Sequence, residues 1–506
     1  MARRSANKIA ALLTGIVAFS SILGAQDTVV KLTPHWNQVI RVSQTTPTLQ
    51  VVVNPPLQRG TPVHDNAFQS LHDLGADYVR YVPWLPYPKL GVAELEPPKD
   101  GKTFWNFSLI DPMTIDSLEA TKEHAIILNF STIPQWMYKT DAPVVYPSDP
   151  NQVTWTYEQG TELRDPSMKE VANYYARLLS WYTKGGFTDE FGNRHESGYH
   201  YSIPYWEVLN EIEFEHHMSL ETYTRLYDQV VTAMRKVQPD LKFVGLALAT
   251  TTDPHYFEYF LNHKNHRHHV PLDFISYHFY ATPTPDQTLH DEEFSCFDQA
   301  DGFLKAVRFI EAIRKRLSPQ TKTTIDEIGV ISPDDLAQVE PGHVITQIPS
   351  AYWNLAGAMY AYLFGELTNI GIDVVGESQL VGFPTQFPSV SMVDWTNGKP
   401  NARYWVLKLL RDNFAAGDQL VEISDNPPAP NSAYIYELAF VARDGKRRVL
   451  LVNKRNRSFE VSVAGAAGGQ LSYVDETTAF QPPPIAKLTS DNLTLGGFSV
   501  SVVMLP

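Results

Sequence analysis

The 506-residue sequence predicts an α/β protein: a (β/α)8 TIM barrel with a C-terminal antiparallel β-sandwich that also takes N-terminal strands. Three observations predict it. From about residue 46 to 412, short apolar runs rich in Val, Ile, Phe and Tyr alternate with longer segments of helical spacing, the pattern of parallel strands joined by helices. The runs number eight, the count at which such strands close into a barrel. Beyond residue 413 the helical spacing fades and runs with antiparallel alternation replace it.

The elements follow in chain order. Residues 1–25 carry Arg3, Arg4 and Lys8, an apolar run from Ile9 to Leu23, then Gly24-Ala25 before polar Gln26-Asp27, which is the layout of a secretory signal peptide. A secreted or periplasmic protein, off the membrane once that segment is cleaved, is the expectation; an uncleaved anchor is the alternative. Residues 26–45 read as strand (Val29, Val30, Leu32, then Val39, Ile40, Val42) and are expected to join the C-terminal sheet. The barrel strands are expected at Leu49–Asn54, Asp77–Val82, Ala125–Phe130, Tyr205–Asn210, Lys242–Leu248, Leu272–His278, Thr323–Glu327 and Ile372–Gly376.

Helix signals lie between them. Ser219 is placed to cap a helix whose Leu220, Tyr223, Leu226, Tyr227, Val230, Met234 and Val237 share one face. Asp165-Pro166 reads as a cap with proline at the first helical position, and Asp65 with Gly75 brackets the first helix. In residues 413–506 the runs Ala433–Val441, Arg447–Val452, Ser458–Val463 and Phe498–Leu505 are the sandwich strands.

Composition bounds the function. A chain this long, 43% hydrophobic and 19% charged, folds around one large core and a smaller one. Its net charge of −15 argues against nucleic acid and anionic lipid as partners, since phosphate binding is driven by clustered Lys and Arg. The single cysteine, Cys296, rules out an intrachain disulfide.

Residues at the C-terminal ends of barrel strands are where reacting groups sit, and two glutamates qualify: Glu211 after the fourth run and Glu327 closing the seventh. Splitting a glycosidic bond needs one carboxylic acid to protonate the leaving oxygen and one carboxylate at the anomeric carbon. A carbohydrate substrate is therefore expected, with no cofactor and no metal. Glu207, inside the fourth strand, reads as a hydrogen-bonded interior acid. Glu377, ending the eighth strand, is a rival carboxylate placed to contact sugar hydroxyls. Trp395 and Trp136 are candidate stacking plates, with packing as the alternative for Trp136, and the segment bearing Trp136, Tyr138, Tyr146, Trp155 and Tyr157 is expected to wall one side of the cleft. Glu213, Glu215, His216 and His217 read as shaping a substrate loop. His263, His266, His268 and His269 lack the spacing of a metal motif.

The strand ends Asn210-Glu211 and Glu327 resemble those of clan A glycoside hydrolases, and Asp273-Phe-Ile-Ser-Tyr-His278-Phe-Tyr280 is similar to the sixth strand of family 39, the family of β-xylosidases and α-L-iduronidases. The chain departs from that pattern at Ile212, where many members have proline, and at Asp326, where Thr is usual. The resemblance implies a retaining enzyme with Glu211 as acid/base and Glu327 as nucleophile. It also implies that Asn210 binds the sugar 2-hydroxyl, that Arg80 keeps the nucleophile ionised, that Tyr280 holds the nucleophile carboxylate and that His278 lies close to the sugar. His278 and Tyr280 as satisfied core aromatics, Arg80 as an ordinary rim ion pair, a transglycosylase with the same intermediate, and a silent carbohydrate-binding barrel are the competing readings.

Overall fold

The computed structural model describes residues 29–142, 145–154, 162–336, 348–383, 387–425, 427–478 and 480–506. The proposed signal peptide, Trp155 and Tyr157 lie outside the described residues. No helix among the described residues is long and apolar enough to cross a membrane.

Eight parallel strands close a barrel in sequence order: Thr46–Val52, Val79–Val82, Ile126–Leu128, Tyr205–Glu207, Lys242–Leu248, Phe274–Ala281, Lys322–Val330 and Val374–Glu377. Val374 of the eighth pairs with Thr46 of the first and so closes the ring. Strands buried on both faces need continuous apolar runs, which is why Val, Ile, Leu and Phe dominate them. Polar side chains inside such runs, Gln50, Arg80, Glu207 and Ser276, are fully buried and must satisfy one another.

Two strands differ from expectation in ways that shape the site. The fourth is short, because Leu209 and Glu211 leave the extended region with φ of 64° and 40°. The seventh runs on past Glu327 to Val330, so Glu327 does not close it: Glu327, Ile328, Gly329 and Val330 stay paired with His278, Phe279, Tyr280 and Ala281. Its register breaks between Thr324 and Glu327 on one side and between Ile325 and Ile328 on the other. Such an irregularity interrupts the two-residue alternation of a strand. Adjacent Asp326 and Glu327 consequently both reach Arg80 across the barrel.

The helices cover the outside. Leu220–Val237 starts at Ser219, whose hydroxyl accepts the Thr222 N–H, and ends on Arg235 and Lys236, which complement the helix dipole. It buries Leu226, Val230 and Met234, each worth about 1.5–3 kcal/mol. Gly75 ends His64–Leu74 in the left-handed conformation. The helix expected at Asp165-Pro166 starts later, at Lys169: the Asp165 carboxylate instead accepts from the Ser167 and Glu170 N–H groups and forms a turn ahead of it.

Among the described residues, nine strands form the second sheet. The N-terminal strand Val30–Val42 lies inside it, antiparallel to Gln419–Asp425 and parallel to Phe459–Val463. Val461 and Leu493 from one end of the strand order share a single core with Val449, Leu451 and Val503 from the other, so the sheet folds over on itself as a sandwich. It packs on the barrel through the helices Ala402–Asn413 and Ser350–Ile370, the latter buried almost all round. A Cβ at Gly365 of that helix would lie 2.4 Å from the Tyr436 ring, so only glycine allows the sheet to approach there.

Candidate active site

Arg80, on the second strand, organises the barrel mouth. Its Nε donates to Glu207 Oε2 at 2.5 Å, and its Nη1 donates to Gln50 Oε1 at 2.8 Å and to Glu327 Oε1 at 2.5 Å. Nη2 donates to Asn210 Oδ1 at 2.5 Å. Asp326 Oδ2 lies 3.5 Å from Nε. Burial works against the Arg80 charge, but Glu207, Asp326 and Glu327 outweigh it and raise its pKa above the ordinary arginine value.

Glu327 is thereby held from two sides, because Tyr280 donates its hydroxyl to Oε2 at 2.6 Å. Ser378 Oγ lies 2.8 Å from the same hydroxyl and accepts from Gln50 Nε2 at 2.7 Å. Burial and then the Glu327 charge push the Tyr280 phenol well above its usual range, so it stays a donor.

Glu211 faces this assembly from the fourth strand. Its positive φ is held by its own N–H donating to Ala247 O at 2.7 Å, a backbone strain of about 1–3 kcal/mol of the kind that gathers at functional sites. His278 Nδ1 lies 3.0 Å from Glu211 Oε1 and 3.6 Å from Glu327 Oε2, and its Nε2 lies 3.4 Å from Asp326 Oδ1. Burial pulls the imidazolium down, but Glu327, Asp326 and Glu211 together lift it well above the histidine range. The ring thus touches three acids, Glu211, Glu327 and Asp326, which favour its protonated form.

Glu211, His278 and Glu327 each bring one ligand-type atom to within 4.8 Å of the others. That bound concerns one oxygen of each carboxyl and brings both acids to one place at the mouth. These are also the atoms that could hold a metal ion, and Arg80 already bonds one of the two carboxyls there.

The other sequence candidates scatter. Glu207 is interior, as expected, and accepts from Arg80, Asn129 Nδ2 and Ser276 Oγ. Glu377 is a correction: fully buried, its Oε1 accepts from Arg403 Nε at 2.9 Å, and burial pushes it up to about 7 against that partner's pull. It is buried in the barrel wall, bonded to an arginine from the following helix. Trp136 donates to Glu94 O at 2.7 Å beneath the Arg164 guanidinium, 4.3 Å from its ring centre. Trp395 is half-buried at the start of the turn between Asp394 and Lys399 and packs against the barrel core. Among the histidines, His266 contacts Asp228 Oδ1 and Phe260 O, and His263 contacts Ser318.

Sequence reasoning missed Gln50, Asp326, Ser378, Trp84 and the carboxyl of Glu215 as parts of the mouth. One signal was legible for Gln50, a lone amide inside Leu49-Gln-Val-Val-Val53.

The comparisons agree with this architecture. Among solved structures, a GH51 arabinofuranosidase from Xanthomonas axonopodis pv. citri superposes with a TM-score of 0.63 at 14% identity, covering 94% of this chain and 100% of its own. A glucosidase from Croceicoccus marinus gives 0.60 at 12%, covering 94% and 99%. A GH30 endoxylanase from Clostridium papyrosolvens gives 0.56 at 12%, also covering 94% and 99%. At such identities the likeness is one of fold. A comparison with curated proteins finds no match. The model of glycosyl hydrolases family 39 matches residues 22–318, a segment that contains Arg80, Asn210, Glu211, His278 and Tyr280 and stops short of Glu327. With more than half of its length so matched, the chain belongs to glycosyl hydrolases family 39 and is a hydrolase of O-glycosyl compounds.

Proposed function

We propose that the protein is a secreted retaining glycosidase with Glu327 as nucleophile and Glu211 as acid/base. The observation that carries this reading is the approach of the two carboxyls, within 4.8 Å by their ligand atoms, with Arg80 and Tyr280 both bonded to Glu327. In the first step Glu327 attacks the anomeric carbon while Glu211 gives its proton to the departing oxygen, releasing the aglycone alcohol and leaving a glycosyl ester. In the second, Glu211 takes a proton from water, whose oxygen attacks the same carbon and expels Glu327. Tyr280 and Arg80 spread the nucleophile's charge and aim its lone pair. His278 orients the Glu211 carboxyl.

A 2-fluoro glycoside with a good leaving group is expected to add one glycosyl mass to the peptide bearing Glu327, and NMR of the first product is expected to show the substrate's anomeric configuration. Inverted product would sink the mechanism. Glu211→Ala is expected to lose about 10²–10⁴-fold on glycosides with poor leaving groups. It should lose far less on activated aryl glycosides, and azide should restore turnover as glycosyl azide. No rescue, with equal losses on both substrate kinds, would remove Glu211 from the role.

Residues 1–25 support export. The mature N-terminus is expected at Gln26; a retained Met1 on the exported protein would reject cleavage.

A further inference from the structure

We propose that Glu215 is a positioning residue of this site: its carboxyl fixes the Asn210 amide, and so the contact Asn210 makes with the substrate, while anchoring the Trp84 indole beside it. The inference rests on the retaining-glycosidase reading above.

The loop after the fourth strand turns back on itself, with the Phe214 and Glu215 N–H groups both donating to Glu211 O, at 2.8 and 2.7 Å. That turn returns the Glu215 side chain to the mouth, where it is 2% exposed. Its Oε1 accepts from Trp84 Nε1 at 2.5 Å and from Asn210 Nδ2 at 2.8 Å. Its Oε2 is buried without a hydrogen-bond partner among the described residues. Burial first, then the Glu211 charge, raise this carboxyl well above the usual range. In either protonation state Oε1 can accept from both N–H groups.

An asparagine amide has two orientations that differ only in which end is N and which is O. Here Arg80 Nη2 meets Oδ1 and Glu215 Oε1 meets Nδ2. Flipping the amide would set donor against donor and acceptor against acceptor, so both partners impose one orientation. The second Nδ2 hydrogen is left for a sugar hydroxyl. Arg80 alone still decides which end is oxygen, while Glu215 fixes where the Nδ2 hydrogens point, and losing that hold costs most where the hydroxyl contact strengthens, in the transition state.

The test is a double-mutant cycle with Asn210→Ala, using whichever of 4-nitrophenyl β-D-xyloside, α-L-arabinofuranoside or β-D-glucoside the parent chain hydrolyses best. Glu215→Gln keeps an acceptor of the same shape without charge and is expected to stay within about threefold of the parent. Glu215→Met, similar in volume with no acceptor, is expected to lower kcat/KM about 30-fold, mainly through kcat. In the Asn210→Ala background the same change should cost less than about threefold. A Met variant equal to the parent, or an undiminished loss in the Asn210→Ala background, overturns the proposal and leaves the glycosidase reading standing. If Glu215→Met does not fold, Glu215→Ala decides in the same cycle. If the parent hydrolyses none of the three, 4-nitrophenyl glycosides of the other pentoses, hexoses and uronic acids take their place, and inactivity on all of them overturns both.

Discussion

Glu327→Gln is expected to lose on the order of 5 kcal/mol of transition-state stabilisation, between three and four decades in kcat/KM, with the fold intact. The amide retains an oxygen that can accept from Arg80 Nη1, so the mouth keeps its packing. It lacks the charge and the nucleophilic lone pair that the glycosyl ester requires. Tyr280, which donates to Glu327 Oε2, would face an N–H in place of an oxygen and lose its bond. Steady-state hydrolysis of an aryl glycoside, with calorimetry as the control on folding, reads the result. Turnover within tenfold of the parent would exclude Glu327 as nucleophile.

Arg80→Met should fail in both stability and rate. The side chain is fully buried, is the shared cation of Glu207, Asp326 and Glu327, and pins Asn210. Removing one partner of a buried ionic cluster leaves uncompensated charge and costs about 3–5 kcal/mol. Here several acids are orphaned together, so the upper end is expected, together with loss of measurable hydrolysis. Burial pushes the Glu207 carboxyl up to about 7 even with Arg80 bonded to it, because Asp326 adds a second anion nearby. Arg80→Lys is the informative control. A single ammonium retains the charge but cannot fork to Glu207, Gln50, Glu327 and Asn210 together, so stability should recover in part while rate stays at least about 10²-fold down. Urea denaturation and kcat/KM on the same preparations separate the two. An Arg80→Met protein as stable as the parent would mean that the cluster is not held by that cation.

The sequence determined the architecture and singled out two glutamates that the fold brings together at one end of the barrel. Apolar runs at barrel spacing place Glu211 after the fourth strand and Glu327 in the seventh, and buried strands demand those runs whatever the reaction. The Ser219 cap and the Gly75 terminator are equally local, because one side chain or one backbone conformation makes each. Tertiary structure decided which acids share the mouth. The register break beside Asp326 turns two neighbouring side chains inward, against the alternation the sequence implies. Arg403, from a later helix, claims Glu377 for the wall. A backward turn brings Glu215 to Asn210 and Trp84, which belongs to another strand's end. Each depends on contacts between segments distant along the chain, and the charge a carboxyl meets after folding is set by those neighbours rather than by the residues beside it in sequence.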